Sequence, residues 1–225
     1  MRRVVERSQS IQSMPPASEF VYESTDAACS QPYLWPVVSQ LLCDLPAGSR
    51  VVDLGCGNGA MMAALRGRGW ELVGVDASAS GITLARRTWQ GVRFEQADVT
   101  ENLLHLGEFD AVLSTEVIEH LYSPRRFIWN CYGLLRPGGT LVISTPYHGW
   151  LKNVLIALAG HMDAHLNPLW DHGHIKMWSQ KTMGSILAEA GFQELEFAGA
   201  GRLPYLWKSM VVRAKRPLTA ELGPR

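Results

Sequence analysis

Neither sign of charge predominates in this chain: Lys and Arg total 21, as do Asp and Glu. No overall field is available to hold a polyanion, so nucleic acid is a disfavoured partner. Cysteine is scarce. Its four positions, Cys29, Cys43, Cys56 and Cys131, contain no C-x-x-C spacing, which argues against a disulfide framework or a thiolate zinc site and fits a reducing cytoplasm. Long hydrophobic runs are also missing. The stretch from Trp150 to Ala159 is interrupted by Lys152 and Asn153 and is too short to span a bilayer; a lid or core helix is the plainer reading. The first residues are polar, through Ser8, Gln9, Ser10 and Gln12, without the apolar stretch of a secretory leader. A cytoplasmic location is therefore expected, and the pattern sets no oligomeric state.

What is present is enough for one core. The 225 residues are 47% hydrophobic, the range of one α/β domain. Residues 1–18 lack periodicity and read as a flexible arm before a single domain over 19–225. Leu34, Val37, Val38, Leu41 and Leu42 recur at helical spacing between Pro32 and Leu45. Strand-like runs follow at Val51–Leu54, Glu71–Val75, Val92–Gln96, Ala111–Ser114 and Thr140–Ser144, the last after a turn at Arg136-Pro137-Gly138-Gly139. Helical runs at Ala60–Leu65 and Gly81–Thr88 separate the earlier ones. A last helix over Lys181–Ala190 precedes possible strands at Gln193–Phe197 and Met210–Arg213. This alternation predicts βαβ units and a mainly parallel sheet with helices on both faces, its ligand crevice at the carboxyl ends of the strands. Residues 146–178, rich in tryptophan, histidine, proline and glycine, read as a lid-like insertion over that crevice.

Asp53-Leu54-Gly55-Cys56-Gly57-Asn58-Gly59 follows a strand and opens a helix. With Ala60 it also satisfies a dinucleotide-binding pattern, and Asp76 stands at the distance of a ribose-binding acid in either reading. Asp53 tips the balance: an acid before the loop suits the ammonium of an amino-acid cofactor and would repel a pyrophosphate. Asp98, in Ala97-Asp98-Val99, offers a carboxylate to an adenine amino group.

Over roughly residues 50 to 145 these motifs, with Phe109-Asp110-Ala111-Val112 and Leu135-Arg136-Pro137-Gly138-Gly139-Thr140-Leu141, resemble the class I S-adenosylmethionine (SAM) methyltransferases in order and spacing. The resemblance implies a Rossmann-like, seven-stranded fold and a glycine loop that holds the methionine part of SAM. It also implies that Asp76 binds the ribose and Asp98 the adenine. Gly55, Cys56, Gly57, Ala77, Val99, Ser114 and Glu116 complete the expected cofactor contacts, and Tyr22 resembles the aromatic that closes over the cofactor in several members.

Glu116-Val117-Ile118-Glu119-His120-Leu121 begins where the fourth strand ends. The Glu-Val-x-Glu-His element is shared with the ubiquinone-pathway O-methyltransferases. His174-Ile175-Lys176-Met177-Trp178-Ser179 resembles a segment of the RNA 3′-terminal 2′-O-methyltransferases, whose metal ligands match Glu116, Glu119, His120 and His174. Such a set implies a magnesium ion that would bind adjacent oxygens of a catechol, a vicinal diol or a similar acceptor. In metal-free members Glu119 and His120 instead orient backbone and helix, and His120, His172 or His174 is then the candidate base. His148, Trp150, Trp170 and Tyr147 suit a flat acceptor or the packing of a lid. His161 and His165 read as a solvated face, and Gly201–Lys208 reads as a fixed turn beside the site. The expected activity is O-methylation of a small-molecule hydroxyl. N-methylation of an amine, a nicotinamide-dependent oxidoreductase and a non-catalytic SAM-binding subunit stand as alternatives.

Overall fold

The structure is a computed structural model and describes residues 20–171 and 173–218. The expected arm at 1–18 and His172 lie outside them. At its centre, β1 (Arg50–Leu54) is buried along four consecutive residues, as a strand must be when helices cover both faces of its sheet. It pairs in parallel with β2 (Glu71–Asp76) on one side and β4 (Phe109–Thr115) on the other. β3 (Arg93–Gln96) extends the β2 side, and β5 (Leu135–Pro146) the β4 side. β7 (Ser209–Lys215) then runs antiparallel between β5 and β6 (Gln193–Ala200), closing a seven-stranded sheet in the order β3-β2-β1-β4-β5-β7-β6.

Helices cover both faces. α1 (Gln31–Leu41), α2 (Ala60–Leu65) and α3 (Ala79–Thr88) join one core with Leu34, Val51, Met62 and Ile82; α4 (Pro124–Leu134) and α7 (Gln180–Glu189) join the other with Phe109, Phe127 and Met183. Local chemistry fixes several helix starts. Ser78 accepts the Gly81 amide, and Ser179 and Thr182 form a reciprocal capping box.

Two sequence expectations change. The Arg136–Gly139 turn is part of β5, because Gly138 donates to the Arg216 carbonyl and Arg216 to Gly139, so these peptide groups find ladder partners. The first helix stops at Leu41 rather than Leu45. Within the insertion lie α5 (Trp150–Leu158) and the short α6 (Met162–His165). A bridge between Tyr147 and Trp178 draws its two ends together, so the excursion leaves and re-enters at one point. Among the described residues no helix is long and apolar enough to cross a membrane.

Candidate active site

The carboxyl ends of β1 and β2 build the first half of the site. Asp53 is the last polar residue of β1, 1% exposed, and neither carboxylate oxygen has a hydrogen-bond partner. Burial, with the nearby charge of Asp76, pushes its pKa up to about 8. A buried, partnerless carboxylate beside a glycine turn is a site for a cation, and an ammonium group fits it. Asp76 ends β2 and grips the loop: one oxygen accepts the Gly57 amide at 2.8 Å, the other the Ser78 amide at 2.7 Å. Burial raises its pKa, and these two donors oppose the rise.

Gly57 has φ 54, and a Cβ there would fall 2.3 Å from the Tyr22 hydroxyl. Only glycine lets the phenol lie so close to the turn. The strand of chain before α1 is stitched to this loop: Asn58 donates to the carbonyls of Ser24 and Asp26, and the Tyr22 amide donates to Ser80. Burial, then the charges of Asp76, Cys56 and Asp53, raise the Tyr22 phenol well above its ordinary value. Cys56 and Val99 are buried, and Ala77 is exposed. Asp98 uses one oxygen to accept both the amide and the hydroxyl of Thr100, so it also caps a turn.

The carboxyl end of β4 builds the second half, and here the expectation needs correction. Ser114 is fully buried with its hydroxyl donated to the Leu54 carbonyl, so its side chain ties β4 to β1. Glu116 does not join the other metal candidates. It has φ 56, a rare conformation for a residue with a side chain, and its carboxylate accepts the hydroxyls of Ser144 at 2.8 Å and Ser209 at 3.0 Å. The expected four-ligand set therefore does not assemble.

Three of the four do meet: Glu119, His120 and His174 offer ligand atoms all within 4.8 Å of one another. Glu119 is buried, accepts the Thr145 hydroxyl at 3.0 Å through Oε2 and has no partner at Oε1. Burial, and then Glu116, hold its pKa well above the usual range. The His120 and His174 rings meet edge to face at 5.0 Å, with His120 Nδ1 3.2 Å from the Gly173 carbonyl. Burial, followed by the charges of His120 and His165, lowers the His174 pKa, which keeps its imidazole neutral and able to accept a proton.

Some of the rim gave no sequence signal. Tyr33 lies 3.4 Å from the Ser209 hydroxyl and under the Lys208 ammonium at 4.9 Å. Ser144 and Thr145, in an ordinary strand pattern, hold Glu116 and Glu119. His148 is buried against the His165 ring at 5.4 Å, so His165 is a packed residue despite its exposure. Burial and the charge of Lys152 push His148 down to about 4.

Residues 30–196 match the model of a methyltransferase domain. The chain belongs to that family. This methyltransferase is 29% identical over 163 residues to a ubiquinone biosynthesis O-methyltransferase of Aromatoleum aromaticum, 70% of each chain. It is 30% identical over 167 residues to the mitochondrial enzyme of that name from Rattus norvegicus, covering 71% of this chain and 48% of the rat protein. Its fold resembles the magnesium protoporphyrin IX methyltransferase of Synechocystis, solved with bound SAH, with a TM-score of 0.63, 21% identity and 81% of each chain covered. The enzyme is a SAM-dependent methyltransferase, which removes the nicotinamide alternative.

Proposed function

We propose that this methyltransferase acts on a hydroxyl of a small-molecule acceptor. Asp53 holds the ammonium of the cofactor and Gly55, Cys56 and Gly57 carry its methionine chain. Asp76 and Ala77 hold the ribose, Asp98 and Val99 the adenine, and Tyr22 closes the cradle. When bound, SAM supplies an electrophilic methyl group on a positively charged sulfur.

The chain then has to aim the acceptor along the line of transfer and take its proton. His174, neutral and exposed on the rim, takes that proton, with Glu119 and His120 setting the direction of the ring. The observation that carries this reading is the convergence of Glu119, His120 and His174 at the end of β4. N-methylation of an amine would need no such group. The relatives named as O-methyltransferases support the same choice, and the balanced charge supports a small molecule over nucleic acid.

A second reading is favoured by the unpartnered Oε1 of Glu119. A divalent ion would be held by Glu119, His120 and His174 and would supply Lewis acidity to adjacent acceptor oxygens. Two imidazoles and one carboxylate suit a transition-metal ion better than magnesium.

The test is transfer of labelled methyl from SAM to a panel of catechols, phenols and amines, with SAH affinity measured in parallel. Labelling of hydroxyl acceptors is expected. Labelling of amines alone would overturn the proposal.

A further inference from the structure

The first turn of α1 spans the two halves of the site. Gln31 Nε2 donates to the Ala60 carbonyl at 3.0 Å, one residue past the glycine loop. Two residues on, the Tyr33 hydroxyl lies 3.4 Å from the hydroxyl of Ser209, the first residue of β7. Ser209 stands opposite Pro146, the last residue of β5, and donates at 3.0 Å to Glu116, one residue past the end of β4. The Tyr33 hydroxyl is therefore placed at the carboxyl ends of β4 and β5, on the same helical turn that touches the cofactor loop. Its surroundings are held in place. Lys152, 6% exposed, donates to the carbonyls of Tyr147 at 2.8 Å and Lys208 at 3.4 Å, which fixes the chain entering β7. The Lys208 ammonium lies 4.9 Å from the centre of the Tyr33 ring.

The hydrogen bonds at this point run one way. Each carboxylate oxygen of Glu116 accepts one hydroxyl, Ser144 at Oε1 and Ser209 at Oε2. A carboxylate has no proton to donate, and a serine hydroxyl has only one. With that proton directed at Glu116, Ser209 meets Tyr33 as an acceptor, so the phenol O–H is the donor of the pair. The phenol oxygen is left with lone pairs alone, and among the described residues no other hydrogen bond reaches it. A half-buried phenol in that state can accept a hydrogen bond from a ligand and can give none. Burial raises the Glu116 pKa, and the two hydroxyls and the charge of Lys152 oppose the rise by favouring the carboxylate.

We propose that Tyr33 is a specificity-determining residue of the acceptor site: its phenol oxygen accepts a hydrogen bond from an O–H or N–H that the acceptor carries beside the hydroxyl to be methylated. Ser209 and Glu116 are positioning residues that set the polarity of the phenol. An acceptor with only lone pairs at that place would meet a second set of lone pairs and be disfavoured. This rests on the reading of the chain as an O-methyltransferase with its acceptor rim at the β4 and β5 ends.

The experiment compares catechol with 2-fluorophenol, whose fluorine replaces one hydroxyl at similar size and has no proton to give. Binding of each to the SAH-loaded protein is measured by calorimetry, and labelled SAM is offered in parallel with both probes and with benzylamine. Wild type should bind catechol about ten-fold more tightly than 2-fluorophenol. Tyr33→Phe should remove that preference by weakening catechol, while 2-fluorophenol and SAH change within about two-fold. Ser209→Ala keeps the phenol but releases its proton to turn toward the ligand, so the preference should shrink with Tyr33 still present. A Tyr33 that only packs α1 would weaken both probes alike. Equal binding of the two probes by wild type, no binding of either, or a preference retained in Tyr33→Phe would overturn the assignment. Methyl transfer confined to benzylamine, with the catechol preference intact, would instead overturn the O-methyl reading.

Discussion

Glu119 Oε1 stands 3.9 Å from His120 Nε2, too far for a hydrogen bond, and burial holds the Glu119 carboxyl toward its protonated form. Beyond His120 lies His174. If this row aims a base at the acceptor, His174→Ala should lower kcat by about 10²- to 10⁴-fold and leave the SAH affinity near wild type. Methyl transfer and calorimetry on one preparation separate the two quantities. A matching loss of SAH affinity would make His174 a support for the cradle instead.

The same three side chains give a metal test that needs no turnover. Melting curves of chelator-treated protein should rise on addition of zinc or manganese in wild type and stay flat in His174→Ala, since a ligand that binds only the folded state raises its stability. Magnesium should produce a smaller rise, in keeping with its preference for oxygen donors. Flat wild-type curves with every ion would dismiss the metal reading and leave the imidazole to act alone.

Asp53 makes ligand-free stability depend on pH in an unusual sense. Its folded pKa is pushed above the unfolded value, so the folded chain holds the proton more tightly. The stability this gives is complete below the ordinary carboxylate value of 3.8 and is lost as pH rises through about 8. Asp53→Asn should flatten the decline seen by urea denaturation between about pH 5 and about pH 8. At the upper end it should be more stable than wild type by roughly 1–3 kcal/mol. It should also lose SAM binding. In wild type, an ammonium arriving beside Asp53 restores the charged form. Binding near neutral pH should then release a proton, detected as a calorimetric heat that varies with the ionisation enthalpy of the buffer.

Gly57→Ala tests the closeness of the phenol. The added methyl would meet the Tyr22 hydroxyl at 2.3 Å on a backbone with φ 54. SAH affinity should fall by about 10-fold or more, the equivalent of about 1.4 kcal/mol. Adding Tyr22→Ala removes the clash but not the backbone strain, so the double variant should recover part of the loss. Full recovery would assign the whole effect to the clash.

The sheet was legible because its strands are short, β-branched and separated by turn residues. Ala60–Leu65 was placed to the residue, and Glu71–Val75 missed only Asp76. α4 gave no clear pattern ahead of the structure, since Trp129 faces solvent and Asn130 interrupts its apolar positions. Composition read Pro137-Gly138-Gly139 as a turn, whereas pairing with the chain beyond β7 made it strand. At the site, spacing brought Glu119 and His120 together and the resemblance added His174. The orientation of Glu116 was hidden because it depends on Ser144 and Ser209, which are 28 and 93 residues away. Lys152 appeared in the sequence only as an interruption of an apolar run.

The Ser209 hydroxyl, donated to Glu116 across the sheet, gives the molecule a temporal asymmetry. Every proposed cofactor contact is encoded by Glu116, yet the core beneath α1, α2 and α3 also takes Val142, Ala200 and Val211 from β5, β6 and β7, so during synthesis on a ribosome the cradle completes its packing only with the last hairpin. The opposite wall waits for Lys208 and Ser209 to emerge. A nascent chain arrested before that point would lack both the hydroxyl that holds Glu116 and part of the core beneath its first helix.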